Sequence, residues 1–269
     1  FCVIPYGRGN LRSKPKEQII IEINDLISKG HKEIILTGVD IASWNMENQN
    51  ENSLGVLIEY ILNKIPSLER LRLSSMDIIG FDEKLIELIA NNKRILPHIH
   101  LSLQSGDNLI LKRMKRRHLR EDAIELCKEL KQRRPEISFG ADLIVGFPTE
   151  TEEMFQNTLN IVEECQLDWI HAFPFSPRPG TPAAKMPQND TKIIKQRSKV
   201  LREVARKRKK SYLENLVGKS IEVFVEKDNK GYSNQFAPIK LIEKNIESGQ
   251  TITALIKTSD ENFAHGVAI

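Results

Sequence analysis

From residue 17 to about 175 the chain alternates between short apolar runs and longer amphipathic ones. The short runs read as buried strands: "EIILTG" (33–38), "RLRLSS" (70–75), "HIHLSL" (98–103), "SFGADLIVGF" (138–147) and "LDWIHAFPF" (167–175). Between them, apolar residues return at i, i+3, i+4 and i+7, which puts one apolar stripe on a helix. These predicted helices are "EQIIIEINDLISKG" (17–30), "SLGVLIEYILNKI" (53–65), "DEKLIELIANN" (82–92), "REDAIELCKELKQR" (120–133) and "ETEEMFQNTLNIVEEC" (150–165). Gly30 and Pro135 act as stop signals after the first and fourth. Strand starts recur every ~30–40 residues, the span of one βα unit. Five units predict an α/β domain whose parallel sheet carries helices outside, either doubly wound or curved into an open or closed barrel. The first helix follows a basic loop rather than a strand, so the series reads as a barrel lacking its first strand.

Past about residue 210 the period changes. The segment from "GKSIEVFVEKDNKGYSNQF" to the end alternates apolar and polar residues, with turn signals at "DNKG" and "ESGQ" and no helical period. This predicts a small all-β barrel. A basic helix over about 191–214 connects the two parts, and the boundary is expected near Val217–Gly218. The division is therefore 1–215 for the α/β domain with its connector and 216–269 for the β barrel.

Composition narrows the function classes. Hydrophobic residues make up 40% and charged residues 28% of the 269, which fits a globular domain and excludes a disordered one. No apolar run approaches the ~18 residues of a membrane span. The polar, basic first residues do not read as a signal peptide. Three scattered cysteines, Cys2, Cys127 and Cys165, give no disulfide framework, which points to a reducing cytoplasm. Cys127 lies in a helical pattern and Cys165 at a helix end, so both read as buried small hydrophobes.

The net charge of +4 is modest, but the cations are clustered. "KRMKRRHLR" (112–120) holds Lys112, Arg113, Lys115, Arg116, Arg117 and Arg120 with no acid. The stretch 192–210 holds ten Lys or Arg, among them Arg206, Lys207 and Arg208, against Glu203 alone. Either run by itself is equally well read as a solvated helix face. Both together, with Arg8, Arg12, Lys14 and Lys16 at the front, point to a polyanionic partner.

Ligands of barrels and doubly wound sheets sit at the carboxyl ends of the strands. Those ends offer Thr37, Gly38 and Asp40; Ser74, Ser75 and Asp77; Ser102, Gln104, Ser105, Gly106 and Asp107; and Asp142 followed by "GFPTE" (146–150). Turns and helix caps use the same residue types, and capping is the first reading for Asp107 and for Thr149, which has Glu152 at capping-box spacing. Asp142 is different. It lies inside an apolar strand, where an unpaired carboxylate is costly. "SPRPGTP" (176–182) is rigid and extended rather than a linker.

Taken in order, "CVIPYGRGNLRS", "LTGVD", "RLRLSSMD", "HLSLQSGDNLILKRMKRRH", "DLIVGFPTETEEMF" and "FSPRPGTPAA" resemble the methylthiotransferases, a branch of the radical S-adenosylmethionine (SAM) enzymes. The β segment resembles the TRAM domain that follows the radical SAM domain in that family. "LTGVD" with "FSPRPGTPAAKMP" is similar to the subgroup that modifies N6-threonylcarbamoyladenosine beside the anticodon of tRNA; isopentenyl-adenosine or a ribosomal protein is the alternative substrate. The resemblance implies a partial (β/α)6 barrel, a [4Fe–4S] cluster held by a C-x3-C-x2-C loop, and SAM bound to that cluster. A second cluster in a preceding domain is also implied.

Carried over position by position, the resemblance makes Cys2 the third cluster cysteine. It puts Thr37 and Gly38 at the methionyl end of SAM. Ser102, Gln104 and Asp142 fall at its sugar and carboxylate, and Gly146, Phe147 and Phe175 near its adenine. It also implies a grip on the tRNA anticodon stem-loop by the β barrel and by the basic residues Arg116, Arg117, Arg206, Lys207 and Arg208. One thiolate does not hold a cluster that expects three. The expectation is therefore a downstream piece that needs an upstream fragment for activity, or a non-catalytic tRNA-binding remnant.

Overall fold

A computed structural model describes residues 1–44, 53–242 and 246–269. The five expected strands form as β1 (Glu33–Leu36), β2 (Arg70–Leu73), β3 (His98–Gln104), β4 (Ser138–Val145) and β5 (Leu167–Pro174). All neighbouring pairs are parallel. After a short helix α1 (Ile4–Arg8), the expected helices appear as α2 (Lys16–Ser28), α3 (Leu54–Lys64) and α4 (Glu83–Asn91). Then come α5 (Asn108–Arg113), α6 (Arg120–Arg133) and α7 (Glu152–Glu164). Ser53, Asp82, Asp107 and Thr151 cap α3, α4, α5 and α7 by accepting backbone N–H bonds. Asp107 thus caps as expected. Thr149 does not: it has φ +67°, and α7 starts two residues later, from Thr151. The cause is Glu150, which turns inward to accept from Gly146 N (2.8 Å) and to pair with Arg197 (2.8 Å), so this stretch is not yet helical.

The sheet is divided where a single ladder was expected. β1 and β2 form one pair, and β3, β4 and β5 form another ladder. Only the bridges Leu71↔Ile95 and Met76↔Leu101 join the two. The segment before β3 is one residue longer between these bridges than its partner, and it contains Pro97, which has no N–H to donate.

Odd-numbered residues of β3 and β4, such as Leu101, Leu103, Phe139 and Leu143, point into the helix layer and join one core with Leu57, Ile58, Ile61, Leu85 and Ile161. Each such fully buried side chain contributes about 1.5–3 kcal/mol of transfer free energy. Even-numbered residues point to the opposite, concave face.

Helix α8 (Thr191–Glu214) runs along the outside of β5 and leads into five antiparallel and parallel strands. These are β6 (Ser220–Val225), β7 (Lys230–Ser233), β8 (Pro238–Leu241), β9 (Thr251–Ser259) and β10 (Ala264–Ala268). They close into a barrel in the order β10-β8-β7-β6-β9, filled by Val223, Val225, Ile239, Ala254 and Ile256. None of the described helices is long and apolar enough to cross a membrane.

Candidate functional site on the concave face

The concave face carries three layers of polar side chains. At its amino-terminal end, Glu33 of β1 bridges Arg70 (2.9 Å) and Arg72 (2.6 Å) of β2, all three nearly excluded from solvent. The small barrel plugs this end with residues 233–237. Arg70 donates to Asn234 Oδ1, Arg72 donates to the carbonyls of Ser233 and Asn234, and Ser138 and Trp169 donate to the carbonyl of Gln235. Phe236 stacks on His98, with ring centroids 4.9 Å apart. Burial, with the charge of Arg72, pushes the His98 imidazole down to about 3, so it is neutral.

The middle layer is a triad on three adjacent strands. His100 Nε2 and His171 Nδ1 each lie 3.0 Å from the same oxygen, Asp142 Oδ1. The register pairs Asp142 directly with His171 and sets His100 opposite Gly140. Gly140 is required there, because a Cβ would stand 2.5 Å from His100 Nδ1. Burial pushes the Asp142 carboxyl up, but the two imidazole hydrogen bonds outweigh it and hold the group well below the usual carboxylate range. The bond to Asp142 raises His171 against a smaller burial effect. The three ligand atoms lie within 4.8 Å of one another, close enough for a divalent cation. The carboxylate is satisfied without one, since both imidazoles face it.

The open layer is the carboxyl-end mouth. Thr37 and Gly38 are exposed after β1. Ser102 is half-buried, and its carbonyl accepts from Arg116 (2.6 Å). Gln104 sits at φ +71° at the end of β3. Gly146 (φ +74°) turns the chain after β4, and its N–H is taken by Glu150. Phe147 and Phe175 are buried against each other in a satellite cluster with Ile110 and Met114, and Phe1 packs edge-on to Phe147. Phe173, near the end of β5, is exposed. Cys2, next to Phe1, is exposed, and its Sγ accepts from Ile4 N (3.4 Å). Cys127 and Cys165 are buried in the helix layer, where their mutual hydrogen bond, with burial, pushes the Cys127 thiol far up. Cys2 is therefore the one thiol that faces this mouth.

The basic runs divide. Arg116 and Arg117 pair with Asp77 (3.2 and 3.4 Å), beside the buried His118. Burial pushes the Asp77 carboxyl up, yet His118 and the two guanidiniums bring it below its usual value. With Lys112 and Lys115 they line a cleft of about 580 Å³ at the rim of the mouth. Lys112 and Lys115 are exposed, without an ion-pair partner among the described residues. On α8, Arg206 pairs with Glu203 and Glu261, and Arg208 with Glu163, Asp168 and the carbonyl of Leu167. Lys207 is exposed and unpaired among the described residues.

Sequence reasoning singled out Asp142 but not its partners His100 and His171. A signal was present: both histidines fall on the same alternate positions as the polar Ser102, Gln104 and Asp142 in otherwise apolar strands.

The chain is similar to known proteins along its whole length. Over its whole length the chain is 43% identical to the threonylcarbamoyladenosine tRNA methylthiotransferase MtaB of Rickettsia prowazekii, and it spans 64% of that protein. Over 86% of its length it is 39% identical to the tRNA-2-methylthio-N(6)-dimethylallyladenosine synthase of Shouchella clausii, spanning 44% of it. The chain thus covers less than two thirds of these relatives. The fold matches coproporphyrinogen III oxidase (HemN) of Escherichia coli, a radical SAM enzyme, with TM-score 0.53 and 16% identity over 70% of this chain and 44% of that one. The model of the Radical SAM superfamily matches residues 1–162, which span β1 to β4 and most of α7. The chain belongs to the radical SAM superfamily.

Proposed function

We propose that this chain serves a tRNA methylthiotransferase reaction, the addition of a methylthio group to C2 of N6-threonylcarbamoyladenosine beside the anticodon. The observation that carries this reading is the 43% identity to MtaB across all 269 residues, including both the barrel and the β barrel behind it. The family's cofactors, a [4Fe–4S] cluster and SAM, supply the radical when bound. Of the groups at the mouth, Cys2 fits as one thiolate leg of such a cluster. The buried Cys127 and Cys165 do not fit as the others. Thr37, Gly38, Ser102 and Gln104 suit the polar parts of SAM, and Phe173 offers a face to a base. The rim cleft around Lys112, Lys115, Arg116 and Arg117 suits the phosphates of an anticodon stem-loop, and Lys207 adds a cation on α8. A reaction on tRNA fits a cytoplasmic chain.

Nucleoside mass spectrometry of tRNA tests this. Deleting the gene should abolish 2-methylthio-N6-threonylcarbamoyladenosine and leave its unmethylthiolated precursor. Loss of a methylthio-isopentenyl nucleoside instead, or of neither, overturns the assignment.

Lys112→Glu with Lys115→Glu should weaken tRNA binding and reduce its salt slope by about 1–2.

A further inference from the structure

The middle layer of the concave face holds a ring nitrogen that none of the described residues engages. His171 Nδ1 is engaged by Asp142, while Nε2 has no partner among the described residues and the side chain is 63% exposed. The ring is fixed from three sides: Asp142 holds one edge, His100 lies 5.0 Å away, and Phe173 meets it edge-on at 6.4 Å. Asp142 in turn is held by His100, itself mostly buried, and Gly140 keeps the space that His100 needs. When His171 is protonated, Nδ1 donates to Asp142 and Nε2–H is a preorganised donor on rigid strands.

The charges around it suit an anion. The layer beneath carries the buried guanidiniums of Arg70 and Arg72, which pair with Glu33 and are sealed by the small barrel. In the triad itself, the Asp142 carboxylate is balanced when His171 is protonated, a state its bond to Asp142 favours. Among the described residues no other acid lies on the concave faces of β3, β4 and β5 at this depth.

We propose that His171, oriented by Asp142 and His100, donates its Nε2–H to the carboxylate of the substrate's threonylcarbamoyl group and so selects that nucleoside. This rests on the substrate reading above. An N6-dimethylallyl group has no carboxylate and would leave the imidazole unmatched, which is the kind of mismatch that discriminates strongly. SAM carries a carboxylate of the same chemistry, and the test separates the two.

The experiment measures binding of the chain to four anticodon stem-loops that differ at one adenosine: unmodified, N6-threonylcarbamoyl, its methyl ester, and N6-dimethylallyl. Binding of SAM is titrated in parallel. The wild-type chain should prefer the threonylcarbamoyl stem-loop by roughly tenfold or more over the other three, the worth of one charge-assisted hydrogen bond. His171→Phe keeps the ring and should bind all four alike. His171→Gln, whose amide reaches the Nε2 position, should restore part of the preference. A wild-type preference that survives in His171→Phe overturns the role of His171 while leaving the substrate reading intact. So does a preference equally strong for the methyl ester. Weakened SAM binding in His171→Phe with RNA preference unchanged assigns the donor to SAM and also overturns the proposal. A wild-type chain that binds the stem-loops without preference removes the substrate reading and this inference with it. The exposure of His171 makes a folding defect in the variants improbable on burial grounds, and a thermal melt of each confirms that the comparison is between folded chains.

Discussion

The two ends of the concave face are built from the same strands and the same residue types, yet they do opposite things. At the amino-terminal end the charges pair with one another. Glu33 takes both Arg70 and Arg72, Arg72 reaches the backbone carbonyls of residues 233–234 and Arg70 the side chain of Asn234, and His98 is neutral under Phe236. At the carboxyl-terminal end Lys112 and Lys115 lack ion-pair partners among the described residues, and Thr37, Gly38 and Phe173 are open. The difference comes from the covering element. A second domain fills one end with backbone carbonyls and an aromatic ring, and nothing among the described residues fills the other. Polar residues on a barrel face are therefore structural or functional according to what lies against them, not according to type.

The sharpest way to break this comparison is at the sealed end. Arg72→Met should cost about 3–5 kcal/mol, because Glu33 and the carbonyls of Ser233 and Asn234 lose a buried charged donor. Equilibrium denaturation measures it. A loss below 1 kcal/mol would mean that water enters this end and that it is not sealed.

Next in size is a pH effect from His98. Its folded value, about 3, lies below the ordinary 6.5, so the unfolded chain binds the proton first. The stabilising contribution is complete above pH 6.5 and is lost as pH falls towards 3, at about 1.4 kcal/mol per pH unit. Asp168 acts with the opposite sign. Burial raises it to about 6 despite Arg208, so its contribution is present at low pH and lost as pH rises through 6. The difference between wild type and His98→Phe isolates the histidine, since Asp168 is common to both. Stability curves of the two should converge in slope above pH 6.5 and diverge below it. Parallel curves would show that His98 is not buried by the small barrel.

Between the two ends, Gly140→Ala should cost about 1–3 kcal/mol. Its Cβ would stand 2.5 Å from His100 Nδ1 and 3.1 Å from the Trp169 carbonyl, and neither has room to move freely. A thermal melt reads the cost, and the His100 and His171 ring resonances should shift together. A shift in neither would mean that the triad is not one unit.

Much of this was legible in the sequence, for a physical reason. The five strands and five long helices of the α/β domain are periodic, and burial enforces that periodicity, so their ends fall within two or three residues of the pattern. The division of the sheet was less visible. "HIHLSL" announced a strand, but the break before it depends on where Pro97 meets β2. Thr149 was misplaced as a cap because local spacing favours it. The deciding contact, Glu150 with Arg197, joins residues far apart in sequence. The cationic runs misled in the same way: Arg206 and Arg208 look free in the chain and are committed to Glu261, Glu163 and Asp168 in the fold. The seal itself had no local signature, since "SNQFA" reads as a turn until it meets the floor of another domain.

The smallest expected effect completes the comparison from the open end. His171→Phe removes a hydrogen bond to Asp142, but that carboxylate keeps His100 and is itself partly exposed, so water replaces the lost donor. Exposed positions of this kind change stability by about 0.5 kcal/mol or less. The same denaturation experiment that shows a loss of several kcal/mol for Arg72→Met should therefore leave His171→Phe near wild type, while the stem-loop preference changes. A stability loss above about 1.5 kcal/mol for His171→Phe would make the triad a structural clamp between β3, β4 and β5. The open end would then differ from the sealed end only in its cover, and the donor would have no free energy left to spend on a ligand.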